Sequence, residues 1–216
     1  MAPPRAPRPA RKRADRYHHG DLRRALLQAA VRAIQSHGVD GLTLRQVGGT
    51  LGVSRTALYR HFADKSALLS AVAAEGFRML RLELVEAWET GGRGRGGFEA
   101  MGMAYVQFAV AHPSHYRVMF SADVTSAANP ELTQEGAGAF QALVDSLIAQ
   151  QHDGLLRGDD PVQMARFVWA NVHGIAMLAI DRRLEHQKAG VEEVTRYSFE
   201  RIRTGIAAVT DARHAR

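Results

Sequence analysis

Arg55, Thr56, Tyr59, Arg60 and His61 lie within one short stretch, SRTALYRHF, and share a polar, basic helical face. Arginine reaches guanine edges or phosphate oxygens, and threonine and tyrosine hydroxyls reach phosphates, so the set suits contact with a nucleic-acid duplex. Thr43, Arg45, Ser54 and Lys65 flank it and add hydroxyl and basic groups on both sides.

The elements that must hold these side chains are readable from caps and spacing. Thr43 with Gln46 three residues on is a capping box, which predicts a helix starting at Leu44. Leu44, Val47 and Leu51 give that helix an apolar face, and Gly52 supplies a residue that turns with φ > 0. Ser54 caps a second short helix, whose Val53 and Leu58 point inward, and Phe62 closes the unit. Asp64 caps a third, long helix that leaves Lys65 in its first turn. Two short helices around a tight turn, the second polar and basic, is the layout of a helix-turn-helix that enters the DNA major groove. Gly48 and Gly49 run against the pattern, each costing about 1 kcal/mol relative to alanine inside a helix. A small residue at 48 fits a close helix crossing, whereas 49 has no comparable reason.

Charge follows the motif. The chain of 216 residues carries 28 basic and 22 acidic side chains, a net +6. Residues 1–20 hold +5 and 21–66 hold +4, while 67–216 sum to −3. The positive field therefore surrounds the candidate reading helix, as binding to a polyanion requires. There are no cysteines, which excludes disulfides and cysteine-based metal or redox sites and is compatible with a reducing cytoplasm. No apolar run approaches the roughly 20 residues of a membrane span, and the N-terminus lacks a secretory apolar segment. We expect a cytoplasmic protein.

Helical periodicity continues along the chain. Leu22, Leu26, Ala29, Ala30 and Ile34 predict a helix from Asp21 to about His37, ended by Gly38. Ser66 to Glu89 forms the long helix, with Leu69, Val72, Phe77, Leu80, Leu84 and Trp88. The run GGRGRGG, residues 91–97, reads as a flexible break before a helix from Phe98 to Ala111. Pro113, Pro130 and Pro161 open three more helices, reaching about Phe120, Gln151 and Glu185, and the last runs from Glu192 to about Val209. No stretch sustains strand alternation, so the fold class is all-α with about nine helices. Residues 1–16 form a basic arm rich in proline, expected to be disordered and to follow a DNA backbone or enter the minor groove. Residues 17–66 form a helix-turn-helix domain, 67–210 a larger helical domain, and 211–216 a tail.

GVSRTALYRHFADKSALL resembles the DNA-binding signature of the TetR family of bacterial one-component regulators. YHHGDLRRALLQAA (17–30) resembles the first helix of one branch of that family. HPSHYRVMF (112–120) and WANVHGIAML (169–178) resemble the ligand-binding domain of the branch named for its Trp-His-Gly pattern. Family members typically carry glycine where this chain has Thr56, so no relative's base preference transfers. The resemblance implies a ligand-responsive repressor that binds a palindromic double-stranded operator as a homodimer and is released by a small molecule. Its interface would be a four-helix arrangement of the last two helices from both subunits.

The helix from 161 to 185 is apolar nearly all round. Trp169, His173, Ala176, Met177 and Ile180 share one stripe, and Met164, Phe167, Asn171, Gly174 and Leu178 lie roughly opposite. A helix apolar on two faces is buried on two, with one face toward the core or cavity and the other toward the partner; spacing does not say which is which. The aromatic and methionine set Phe77, Tyr105, Phe108, Tyr116, Met119, Phe120, Phe140 and Phe167, with Trp169, His173 and Met177, forms either a solid core or the wall of an apolar cavity. The resemblance implies the cavity.

No convergent catalytic set is present, and His173 has no ligand partner near it in sequence, so it reads as a hydrogen-bonded core or pocket histidine. His112 and His115, either side of Pro113-Ser114, read as part of a helix start or as a metal pair, and His18-His19 as an arm contact. We expect no cofactor, no metal and no enzymatic activity. An architectural DNA binder without a ligand and an all-α enzyme are the alternatives.

Overall fold

A computed structural model of the chain describes residues 19–124, 129–184 and 190–207. Among these, nine helices follow one another with no strand: α1 (His19–His37), α2 (Leu44–Thr50), α3 (Arg55–His61), α4 (Lys65–Thr90), α5 (Gly94–Ala111), α6 (Pro113–Met119), α7 (Pro130–His152), α8 (Pro161–Ile180) and α9 (Val191–Ile206). The all-α class expected from periodicity is the class observed. The arm, Tyr17, His18 and the C-terminal tail lie outside the described residues.

Local chemistry sets the helix starts. Thr43 and Gln46 form the full capping box, and the side chains of Ser54, Asp64, Asn129 and Asp160 each accept a first-turn backbone N–H. Between α2 and α3 the chain reverses at Gly52, whose φ of 64° lies in the left-handed region. The Val53 N–H then donates to the Gly48 carbonyl at 3.1 Å. Gly48 keeps this crossing close, because a Cβ built there would lie 3.0 Å from Leu58 Cδ1 and press on that side chain.

α4 is the axis of the molecule. It begins after a three-residue connection from α3, contacts α1, and packs on α5, α6 and α7. α8 lies on α5 and α7, and α9 closes over α5 and α8. One continuous apolar core runs from Leu26 of α1 to Ile206 of α9.

Three expectations change. α5 starts at Gly94, not Phe98, and the break shrinks to Gly91–Arg93. Gly91, Gly96 and Gly97 serve close packing, since a Cβ at Gly97 would meet the Trp88 carbonyl at 2.7 Å, while Gly92 and Gly94 take the positive φ of the turn. Arg93 completes the turn with two hydrogen bonds to Glu89, at 2.9 and 3.0 Å. α8 ends at Ile180 rather than Glu185, because Arg182 adopts a φ of 56° and the Arg183 N–H returns to the Leu178 carbonyl. Asp181 at this end is tied to Arg117 of α6 at 2.7 Å. Met164, placed by spacing on the stripe with Phe167, is buried under the α7–α8 connection, with Gln151 Nε2 3.4 Å from its sulfur.

Candidate nucleic-acid interface and ligand cavity

α3 presents Arg55, Thr56, Tyr59 and Arg60 to solvent and holds itself down through buried Leu58 alone. The Arg55 guanidinium lies over the Tyr59 ring, 5.4 Å from its centroid, which orders both side chains on one side of the helix. Arg45 and Gly49 of α2 face Arg55 and Tyr59 across a shallow groove. A Cβ at Gly49 would meet nothing within 4 Å, so that helix surface is open. Thr43 and Ser54 lie at the two helix starts, with their hydroxyls engaged in capping. His61 is half-buried at the end of α3. The Lys65 ammonium donates to the Asp40 carbonyl at 3.1 Å, tying the start of α4 to the α1–α2 loop.

At the other end of α4 is a cavity of about 340 Å³. Its walls are Phe77, Leu80 and Leu84 of α4, Phe98, Met101, Gly102 and Tyr105 of α5, Phe120 at the end of α6, Gly136, Ala139, Phe140 and Leu143 of α7, Val168, Trp169 and Val172 of α8, and Phe199 of α9. The size falls within the range of small-molecule sites, and the lining is apolar and aromatic as such sites are.

One polar cluster borders the cavity. Trp169 Nε1 donates to the Tyr105 hydroxyl at 3.0 Å. The Tyr105 and Tyr116 hydroxyls are 3.0 Å apart, and Tyr116 Oη lies 2.8 Å from His173 Nδ1. Burial pushes the Tyr105 phenol up to about 12 and raises that of Tyr116 as well, so both stay protonated. Burial also lowers the pKa of His173, which favours the neutral ring.

Two family models match the chain. "Bacterial regulatory proteins, tetR family" covers residues 26–72, and "Tetracyclin repressor-like, C-terminal domain" covers residues 98–202. The chain belongs to the TetR family. Members of this family are DNA-binding transcription regulators, and the helix-turn-helix described above lies inside the first match. A solved structure described as a protein with unknown function from Rhodococcus sp. RHA1 is 35% identical, with a TM-score of 0.80, covering 89% of this chain and 99% of that one. The HTH-type transcriptional repressor AcnR of Corynebacterium diphtheriae is 42% identical over 53 residues, 24% of this chain and 28% of the relative. The tetracycline repressor protein class A of Escherichia coli is 48% identical over 48 residues, 22% of each. The TetR-family chain thus spans about a quarter of the length of the curated relatives it matches. Among the described residues no helix is long and apolar enough to cross a membrane.

Of the cavity residues expected from sequence, Phe77, Tyr105, Phe120, Phe140 and Trp169 are on the wall. Phe108, Tyr116 and Met119 are instead buried core, because their helix faces turn away from the void. His173 is behind the tyrosine pair and Met177 is half-buried further along α8. Phe167 is a correction: it lies on the outer face of α8 and is 50% exposed. The wall also holds Phe98, Met101 and Phe199, which share the aromatic and methionine signal but were not in the expected set. His112 and His115 face separate carboxylates on α4, Glu83 at 3.8 Å and Glu75 at 3.6 Å, rather than one shared point.

The lowered pKa of His173 has a measurable consequence. The folded chain keeps the ring neutral, whereas the unfolded chain binds a proton below about pH 6.5. Folding stability should therefore fall as pH drops from about 6.5 toward the lower folded pKa. His173→Gln removes this contribution and should flatten the loss of stability between about pH 7.5 and 5.5, measured as urea midpoints. An unchanged slope would show that this imidazole does not titrate differently on unfolding.

Proposed function

We propose that this TetR-family protein is a homodimeric repressor that leaves its palindromic operator when a small molecule occupies the cavity. The observation that carries the reading is α4: the same helix starts at the end of α3, capped by Asp64, and supplies Phe77, Leu80 and Leu84 to the cavity wall. A ligand that favours one position of α4 biases the placement of α3, and its leverage equals its differential affinity for the two positions. Contacts between α1 and α6, and an ion pair of Arg23 in α1 with Glu131 in α7 at 3.2 Å, are further links between the two ends. The presence of a cavity favours a sensor over an architectural binder without a ligand.

In this reading residues 17–66 form the DNA-binding domain and 67–210 the ligand-binding and dimerisation domain. Arg55, Thr56, Tyr59 and Arg60 contact bases and phosphates in the major groove. Thr43, Arg45, Ser54, His61 and Lys65 are at the groove edges. Two such helices would enter successive major grooves roughly 34–36 Å apart. The subunits meet through the outer faces of α8 and α9.

The operator is obtained by selecting genomic fragments that the protein retains, and binding is then followed by gel shift. Arg55→Ala should weaken operator binding by about ten- to a hundredfold, the usual worth of a base or phosphate contact of this type. Tyr59→Phe should weaken it by a smaller factor. Unchanged affinity in both variants would remove α3 from the assignment.

A further inference from the structure

The cavity wall defines the class of molecule it accepts, and this inference rests on the sensor reading above. Among the described residues the wall carries no charged side chain. An ionised group entering it would lose its hydration without gaining a counter-charge, which is strongly unfavourable. Phe77, Phe98, Phe120, Phe140, Trp169 and Phe199 supply ring faces and edges. At roughly 30 Å³ per water-sized group, the volume has room for about a dozen non-hydrogen atoms.

The lining residues bring only two polar side-chain atoms, Trp169 Nε1 and Tyr105 Oη. The indole N–H is taken, because it donates to Tyr105. Tyr105 has one donor and two acceptor positions, and the way the chain of hydrogen bonds behind it runs decides which of these remains. If His173 Nδ1 is unprotonated, Tyr116 donates to it and Tyr105 donates to Tyr116. One lone pair of Tyr105 is then left without a partner in the chain of hydrogen bonds. If Nδ1 carries the proton, it donates to Tyr116, which donates to Tyr105. The Tyr105 oxygen then accepts twice and its own O–H is left over. Both arrangements fit the spacings of 2.8 and 3.0 Å, whereas a Tyr105 O–H turned to His173 Nδ1, 3.4 Å away, would leave the closer Tyr116–His173 pair with no proton between them.

We infer that the effector is an uncharged, mainly aromatic molecule with one hydrogen-bonding atom seated on Tyr105, and that the tautomer of His173 lets this hydroxyl either donate or accept. Trp169 and His173, four residues apart on α8, are then positioning residues for a single polar handle.

Equilibrium dialysis of the full chain at about pH 7.5 with naphthalene, 2-naphthol, 2-methoxynaphthalene and 2-naphthoate tests this. 2-Naphthol and the acceptor-only 2-methoxynaphthalene should bind about three- to tenfold tighter than naphthalene, the usual gain from one hydrogen bond. 2-Naphthoate should bind at least tenfold weaker than 2-naphthol. Tyr105→Phe combined with Trp169→Phe, which also removes the indole N–H that loss of the Tyr105 hydroxyl would free, should bring both oxygen-bearing probes to the level of naphthalene, whose continued binding shows that the cavity persists in the variant. Tight binding of 2-naphthoate, no binding by any neutral probe, or an advantage of 2-naphthol that survives the double substitution would overturn the inference. An advantage for 2-naphthol alone would overturn the two-way handle. Operator affinity measured in the same samples keeps the two readings apart. If the probes bind in the expected order but none alters operator binding, the effector role fails while the ligand class stands.

Discussion

Gly102→Ala should destabilise the fold by about 2–3 kcal/mol, the upper range for overpacking a core. Gly102 is on the buried face of α5, and a methyl group built there falls within the ring of Phe199 from α9. Phe199 is buried, with Phe98 edge-on to it at 5.4 Å, so the ring has no solvent to move into. The collision has two outlets: the ring swings into the cavity it lines, or α9 shifts away from α5. A double-mutant cycle identifies the cause. In the Phe199→Leu background the ring atoms that collide are gone, and the added methyl should have less than half its effect on the denaturation midpoint. Equal destabilisation in both backgrounds would place the strain elsewhere.

Phe167→Asp with Leu178→Asp should turn the proposed dimer into a monomer and lower operator affinity by about a hundredfold or more. Phe167 is 50% and Leu178 46% exposed, and Ala170, Asn171 and Gly174 complete the same outer face of α8. A Cβ on Gly174 would meet nothing within the subunit, so the glycine answers no contact inside the chain and leaves room for close approach from outside. Tyr197, 61% exposed, extends the face onto α9. Two reading heads joined in one molecule gain about 10² to 10⁴ in avidity, and separation forfeits it. The stability of the single chain should hardly change, because half-exposed side chains contribute little to its core. Sedimentation velocity gives the oligomeric state and gel shift the affinity. A variant that remains dimeric would exclude this face as the interface.

What could be read in advance depended on how local the determinant was. The caps at Thr43, Ser54, Asp64, Asn129 and Asp160 act within three residues, and the helices start beside them. The basic face of α3 is equally local, since periodicity and Leu58 suffice to orient it. The α8 faces were not legible, because both stripes are apolar and only the packing of α5 and α7 against one of them breaks the tie. That is why Phe167 was grouped with the wall residues, and why Met164 was placed on the same stripe as Phe167. The glycine run after α4 misled for a related reason: glycine signals a break by propensity, and a close helix contact only once the neighbour is known. The cavity itself is a gap between α4, α5, α7 and α8 that Phe120 and Phe199 help to close, and no sequence pattern records missing atoms. Its aromatic residues were visible as candidates, but the choice between wall and core needed the third dimension.

α8 carries Trp169 and His173 inward and Phe167, Ala170 and Gly174 outward within about two turns. A helix is a stiff rod, so it cannot rotate or slide on one side and stay still on the other. In the proposed dimer a molecule that displaces Trp169 must therefore also move the surface offered to the second subunit, and through it the other cavity. The two binding events would be thermodynamically coupled, and the Hill slope of effector titration, rather than its midpoint, is the quantity in which this shared helix would show itself.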